Sequence, residues 1–142
     1  MPRISIGRFS VEVSSHLRVA SRKHRLRALG TSFTSTEITL DGHLLILREG
    51  TLVTKPEQLA ELVGASTKQA KVVLSDCRLG TLAGKMYDSS PADFTWIDWW
   101  VRGAESLFCA NVQGAGELSA TEKEQIENVL SSVLESHGSP KA

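Results

Sequence analysis

The stretch FTWIDWWVR at residues 94–102, followed by GAES at 103–106 and LFCANV at 107–112, decides how this chain folds. Aromatic and β-branched residues dominate both runs, the composition that fits a pleated, half-buried surface, and the short connection between them carries a glycine. The segment therefore predicts a β-hairpin. Successive side chains of a strand point to opposite faces, so Ile97, Trp99 and Val101 share one face while Trp96, Asp98, Trp100 and Arg102 share the other. The first set is wholly apolar and reads as core. The second places two of the three tryptophans beside an acid and a base, a mixture that suits a contact surface, since Trp and Arg are favoured at binding hot spots. Asp88, Asp93 and Glu105 are expected near its ends and add negative charge. Covering of both Trp faces by helices is the alternative, because tryptophan is highly buried on average.

Outward from this hairpin the same period of two recurs. Phe9, Val11 and Val13 alternate with Ser10, Glu12 and Ser14, which predicts an amphipathic first strand. Residues 37–40 and 44–47 flank Asp41-Gly42, a pair that supplies the positive φ angles of a tight hairpin turn. The unbroken Leu44, Leu45, Ile46 and Leu47 suggests a strand covered on both faces. Val72, Leu74 and Leu79, then Leu82, Met86 and Tyr87 beyond Gly80, predict a further strand pair. Thr54 to Glu57 fits a capping box opening a short helix through Leu59, Leu62 and Val63. Ser119 with Glu122 is a second capping box, and Ile126, Val129, Leu130, Val133 and Leu134 follow the spacing of one helix face, with Gly138 at the expected terminus. These elements predict an α+β domain over residues 1–137: a largely antiparallel β-sheet with helices packed on it and a long C-terminal helix, then a disordered tail at 138–142.

This layout resembles the PsbP-like fold of photosystem extrinsic proteins, Ran-binding import factors and bacterial secretion adaptors. The residues that carry the resemblance are the opening strand at 9–13, LGTLAGKMY at 79–87, the hairpin at 96–112 and VLSSV at 129–133. Members of that fold are mostly non-enzymatic, so the resemblance implies a PsbP-like sandwich that docks partners. It carries no particular site residue over to this chain.

At 142 residues and 15.4 kDa the chain fits one ordinary domain, and 41% hydrophobic with 23% charged residues is a globular composition. No apolar run approaches the length of a bilayer span and residues 1–13 lack a secretory signal pattern, so a cytoplasmic location and no membrane partner are expected. Cys77 and Cys109 are too few for a disulfide framework. The zero net charge is a cancellation. Residues 1–30 hold seven basic groups and one acid, a balance of +6, and the remainder holds nine basic and fifteen acidic groups, a balance of −6. Such polarity bears on partner steering.

GTLAGK at 80–85 mimics a phosphate loop, but has three residues between its glycines instead of four, and Met86 stands where a hydroxyl should hold magnesium. A glycine-kinked strand pair is the expected reading. His16, His24, His43 and His137 show no zinc spacing and read as solvated or turn histidines. Arg25 or Arg27, the Ser/Thr-rich run at 31–36 and Glu122 with Glu124 match the order of ADP-ribosyltransferase motifs. Acids in the first turn of a helix are, however, expected from the macrodipole alone. A nucleic-acid arm at residues 18–27 lacks interleaved aromatics and faces an acidic remainder. The expectation is a non-enzymatic protein-binding domain, without cofactor or metal, as a monomer or weak homodimer. Its expected partner is a toxin or secreted effector, and its favoured role is a bacterial immunity protein that occludes a toxin's active site. A secretion chaperone or adaptor is the alternative within that class, and an ADP-ribosyltransferase-like enzyme the alternative outside it.

Overall fold

Period-two alternation shapes most of the chain. In the computed structural model, which describes residues 2–26, 31–51, 74–91 and 93–136, it produces ten strands. They are β1 (Arg3–Ile6), β2 (Phe9–Glu12), β3 (Arg18–Leu26), β4 (Thr31–Thr39), β5 (Leu44–Thr51), β6 (Ser75–Leu79), β7 (Leu82–Asp88), β8 (Phe94–Arg102), β9 (Ser106–Ala115) and β10 (Leu134–Glu135). One helix, α1 (Ala120–Ser131), lies between β9 and β10. A seven-stranded sheet runs β3-β4-β5-β9-β8-β7-β6 and a three-stranded sheet runs β1-β2-β10, every pairing antiparallel.

The predicted hairpins form at their expected positions, although neither Asp41 nor Gly42 takes the positive φ expected of that turn. Asp41-Gly42 joins β4 to β5, closed by the Leu40 amide donating to the His43 carbonyl at 2.9 Å. Gly80, at φ +61, turns β6 into β7. The phosphate-loop mimic is thus a strand pair, with Lys85 paired to Asp76 across it. Phe9 and Val11 of β2, with Val13 just beyond its end, point inward as their alternation predicted and meet Ile38, Leu45, Leu47, Val101, Phe108 and Val112 from the large sheet. Phe9 and Phe108 contact edge to face with ring centres 5.5 Å apart. Ile126, Val129 and Leu130 of α1 close the same core. Leu45 and Leu47 enter it, whereas Leu44 and Ile46 are half-buried on the opposite face.

The α+β expectation, with helices packed on the sheet and a long closing helix, is not met. The described residues form a mostly antiparallel β structure in two sheets with one short helix. The helical spacing of Val129, Leu130, Val133 and Leu134 is interrupted after Ser131. Leu134 and Glu135 pair instead with Ser10 and Phe9 of β2, completing the small sheet, and the Ser136 amide donates to the Arg8 carbonyl at 2.7 Å. Ladder bonds to a neighbouring strand outweigh local helical periodicity here. Leu134 is consequently 50% exposed, although a helical stripe would have buried it. The helix expected at residues 54–63 and the tail at 138–142 lie outside the described residues.

The α1 capping box forms as its spacing predicted. The Glu122 amide donates to Ser119 Oγ at 3.1 Å and the Ser119 amide to Glu122 Oε1 at 3.0 Å. Ser119→Ala is expected to lower stability by about 1 kcal/mol in urea denaturation. An unchanged midpoint would show that Glu122 alone holds the helix end.

Of the two settings expected for it, His43 takes the turn, between β4 and β5, and is not solvated. Its side chain is 3% exposed and that of Glu122 4%, with His43 Nδ1 at 2.9 Å from Glu122 Oε2 and Nε2 at 3.0 Å from the Gly116 carbonyl. The β4–β5 turn is thereby bolted to the start of α1.

Candidate functional site

The outer face of the large sheet, opposite the core, is where the tryptophan hairpin displays its mixed side. Register places Ile46, Asn111, Asp98 and Tyr87 in one cross-strand row and Arg48, Cys109, Trp100 and Lys85 in the next. Above them sits an open cleft of about 580 Å³. Its floor comes from three adjacent strands: β5 with Ile46 and Arg48, β9 with Cys109 and Asn111, and β8 with Trp96, Asp98 and Trp100. Phe94 and the loop residues Ser89 and Pro91 form its wall.

Asp98 is the chemical centre of this cleft. Asn111 Nδ2 donates to Asp98 Oδ1 at 2.9 Å, and Trp96 Nε1 donates to Asp98 Oδ2 at 3.0 Å. Burial pushes the Asp98 carboxyl above its ordinary range, the two hydrogen bonds and the positive charge of Arg48 opposing it only in part. Trp96 is 37% exposed, Phe94 is 36% exposed, and their rings stack with centres 6.3 Å apart and planes 25° from parallel. Trp100 packs lower, against Leu107 and Cys109. The mixed face is therefore graded, with Trp100 seated and Trp96 presented to solvent. Burial also pushes the Cys109 thiol up, which makes it a poor nucleophile at neutral pH. Cys77 packs against the core on the other face, so the two free cysteines do not meet.

Of the residues singled out in the sequence, Trp96, Asp98 and Trp100 share the cleft. Asp88 and Asp93 do not line it: Asp88 pairs with Ile97 and so lies on the other face, and both acids border a separate pocket with Thr95, Ile97 and Lys123. The Asp88 carboxylate accepts from the Ser90 amide at 3.0 Å, the Trp96 amide donates to Ser90 Oγ at 2.9 Å, and Asp93 adopts φ 65. Arg102 and Glu105 stand at the far end of β8. There Glu105 pairs with Arg8 from the β1–β2 turn, so it holds one hairpin to another. Sequence reasoning missed Phe94, Arg48, Cys109 and Asn111. Asn111 had a signal, being a polar residue between inward-facing Ala110 and Val112. Arg48 had none, because its place depends on the pairing of β5 with β9.

Two of the other segments singled out in the sequence have a definite place in the fold. Residues 18–26 are not a free arm but the edge strand β3, where Arg22 pairs with Glu37 at 3.1 Å and exposed Arg18 and Lys23 keep the edge charged. Glu122, considered for ribosyl transfer, is buried in the cap of α1. Among the described residues no helix is long and apolar enough to cross a membrane. In sequence the chain matches no known protein-family model, and no curated protein is significantly similar to it.

Proposed function

We propose that this chain is a non-enzymatic binding protein that docks a protein partner on the outer face of its large sheet. The observation that carries the reading is the stacked Phe94–Trp96 pair, over a third exposed, beside the recessed carboxylate of Asp98. The core is complete on the inner face, so these rings are not needed to close it. Solvent-facing aromatics around a polar centre are the usual anatomy of a binding hot spot. The favoured biological form is an inhibitor that occludes a toxin's active site. Asp98 puts negative charge beside the aromatic pair, which would speed capture of a basic partner surface.

The test uses Trp96→Ala together with Phe94→Ala. Each variant is expected to unfold within about 1 kcal/mol of the parent, because both rings sit at the surface. Affinity-tagged parent protein, expressed in its native cells, is expected to retain a partner that Trp96→Ala binds about 30-fold more weakly. For the inhibitor form, the captured protein should be toxic when expressed alone and be neutralised by the parent but not by Trp96→Ala. A captured protein without toxicity would favour the secretion adaptor. Equal capture by parent and both variants would remove the outer face as the docking surface.

A further inference from the structure

The Gly116 carbonyl joins the buried His43–Glu122 pair to the docking face. It accepts from His43 Nε2 at 3.0 Å and from the hydroxyl of buried Thr95 at 2.7 Å, and the Gly116 amide donates to the Asp93 carbonyl at 2.8 Å. Asp93 and Thr95 are the chain neighbours of Phe94, whose ring stacks on Trp96. One residue thus ties His43 to both sides of the exposed aromatic pair.

His43 can hold this arrangement in one protonation state only. Its Nδ1 faces Glu122 Oε2 at 2.9 Å, so two acceptors need two N–H donors, and a neutral imidazole has one. When a proton leaves, the remaining N–H stays with the carboxylate, because the charge-assisted bond is the stronger. Nε2 then turns a lone pair on the Gly116 carbonyl, and one of the two must move. The ring has no room to do so: its side chain is 3% exposed, and it lies so close over Gly114 that a Cβ there would be 2.7 Å from His43 Cδ2. Gly116 has room, at φ +77 with nothing within 4 Å of the place a Cβ would take. Of the charged groups on the surrounding elements, Glu122 is the one whose charge acts on the ring. Asp41 in its own turn, Asp93 before β8, Glu117 after β9, and Lys123 and Glu124 on α1 are exposed. We infer that His43 is a proton-operated latch on the docking face: its imidazolium holds Gly116, and through Asp93 and Thr95 the stacked Phe94–Trp96 pair, in the docking position, and loss of the proton releases them. The folded-state value of His43 lies above 6.5, so the latch is closed below that pH and opens as pH rises through the folded value. This inference rests on the docking reading and names how that site is regulated.

All three tryptophans lie in β8, so intrinsic emission of the whole chain reports on this strand. The experiment takes the full-length protein from pH 5.5 to 9. Nitrogen-15 shifts of the His43 ring read its protonation, and tryptophan emission with its quenching by acrylamide reads the exposure of Trp96. Both optical signals are expected to change in one step at the His43 midpoint, with the far-ultraviolet circular dichroism unchanged. Thr95→Val keeps the shape of the side chain and removes its bond to Gly116, so it should leave His43 titrating and shrink the step at least about twofold. No optical step at the His43 midpoint, a step that coincides with loss of the strand signal, or a step of full size in Thr95→Val would each overturn the latch. The parent titration needs no variant, so it stands even where Thr95→Val fails to fold. The protein captured by the parent should be held at least about fivefold more weakly at pH 8.5 than at pH 6, and Thr95→Val should lose much of that difference. An equal difference in parent and Thr95→Val would be the partner's own titration and would overturn the regulation. Capture that needs Trp96 but ignores pH would reject the latch and keep the docking. An optical step at the His43 midpoint with capture that ignores Trp96→Ala would reject the docking.

Discussion

Glu122→Gln is expected to lower the stability of this domain by about 3 kcal/mol near pH 5.5 and to flatten its dependence on pH. The reason is the buried contact between the β4–β5 turn and α1. Both ring nitrogens of His43 face acceptors, Glu122 Oε2 at 2.9 Å and the Gly116 carbonyl at 3.0 Å, so both must carry a proton and the ring is an imidazolium. Burial works against that charge, but the Gly116 carbonyl and the Glu122 carboxylate outweigh it and raise the His43 value above the ordinary 6.5. For Glu122, burial likewise favours the neutral acid. It is overcome by amide donors from Gly42 at 2.9 Å and Ser119 at 3.0 Å and by His43, which together hold the carboxyl at about 2 instead of 4.5. A depression of that size corresponds to about 3 kcal/mol.

The signs follow from linkage. His43 binds its proton more tightly when folded, so its contribution is complete below pH 6.5 and is lost as pH rises through the raised folded value. Glu122 contributes fully above pH 4.5 and loses that contribution as pH falls toward 2. The pair thus stabilises most between pH 4.5 and 6.5. Urea denaturation of parent and Glu122→Gln at pH 3, 5.5 and 8.5 measures this. In the variant the imidazolium faces a neutral amide, so the decline of stability on the alkaline side should largely disappear. A parent that is equally stable at pH 5.5 and 8.5, with a variant within 1 kcal/mol of it, would refute the buried ion pair.

Gly84→Ala is the second substitution with a large expected effect, a loss of about 3 to 4 kcal/mol. Gly84 sits inside β7, opposite Cys77 of β6 and Val101 of β8. A Cβ built there collides with the Trp100 carbonyl oxygen and comes to 2.6 Å from the Val101 Cα. Those atoms are backbone, so rotamer changes cannot relieve the clash, and β7 must part from β8 with the loss of ladder hydrogen bonds. Trp100 would move with its strand, so a change in tryptophan emission should accompany the drop in the denaturation midpoint. Ala83→Ser, at the exposed neighbouring position, should stay within about 0.5 kcal/mol. A Gly84→Ala protein as stable as its parent would mean that this glycine serves something other than strand contact, and would reopen the phosphate-loop reading of residues 80–85.

The two predictions concern residues whose local patterns were visible but whose meaning was not. GTLAGK at 80–85 showed its wrong spacing at once, yet nothing local reveals that the Trp100 backbone presses on Gly84. Ser119 and Glu122 announced a capping box. That Glu122 also anchors His43, 79 residues away, became visible only with the chain folded. The site divides in the same way. Alternation along β8 separated Trp96, Asp98 and Trp100 from Ile97, Trp99 and Val101, and the structure keeps that division. It could not supply Arg48 and Asn111, because a cleft three strands wide depends on pairings between distant segments. Nor could it show that Glu105 is tied to Arg8, well away from the tryptophans.

By itself the sequence determined the elements whose physics is local. These are the hairpin turns at Asp41-Gly42 and Gly80, the inward residues of β2 and β8, and the cap of α1. Tertiary structure decided whatever required a choice between two locally acceptable states. Residues 134–135 could have continued a helix, but a free edge on β2 offered backbone partners, and the chain became a strand. Residues 18–26 could have been a solvated basic arm, but pairing with β4 made them the charged edge of a sheet. The order β5-β9-β8 turned one face of a hairpin into a cleft with the half-buried carboxylate of Asp98 at its centre. Backbone hydrogen bonds and burial accrue only when remote strands meet, and no window of residues contains that information.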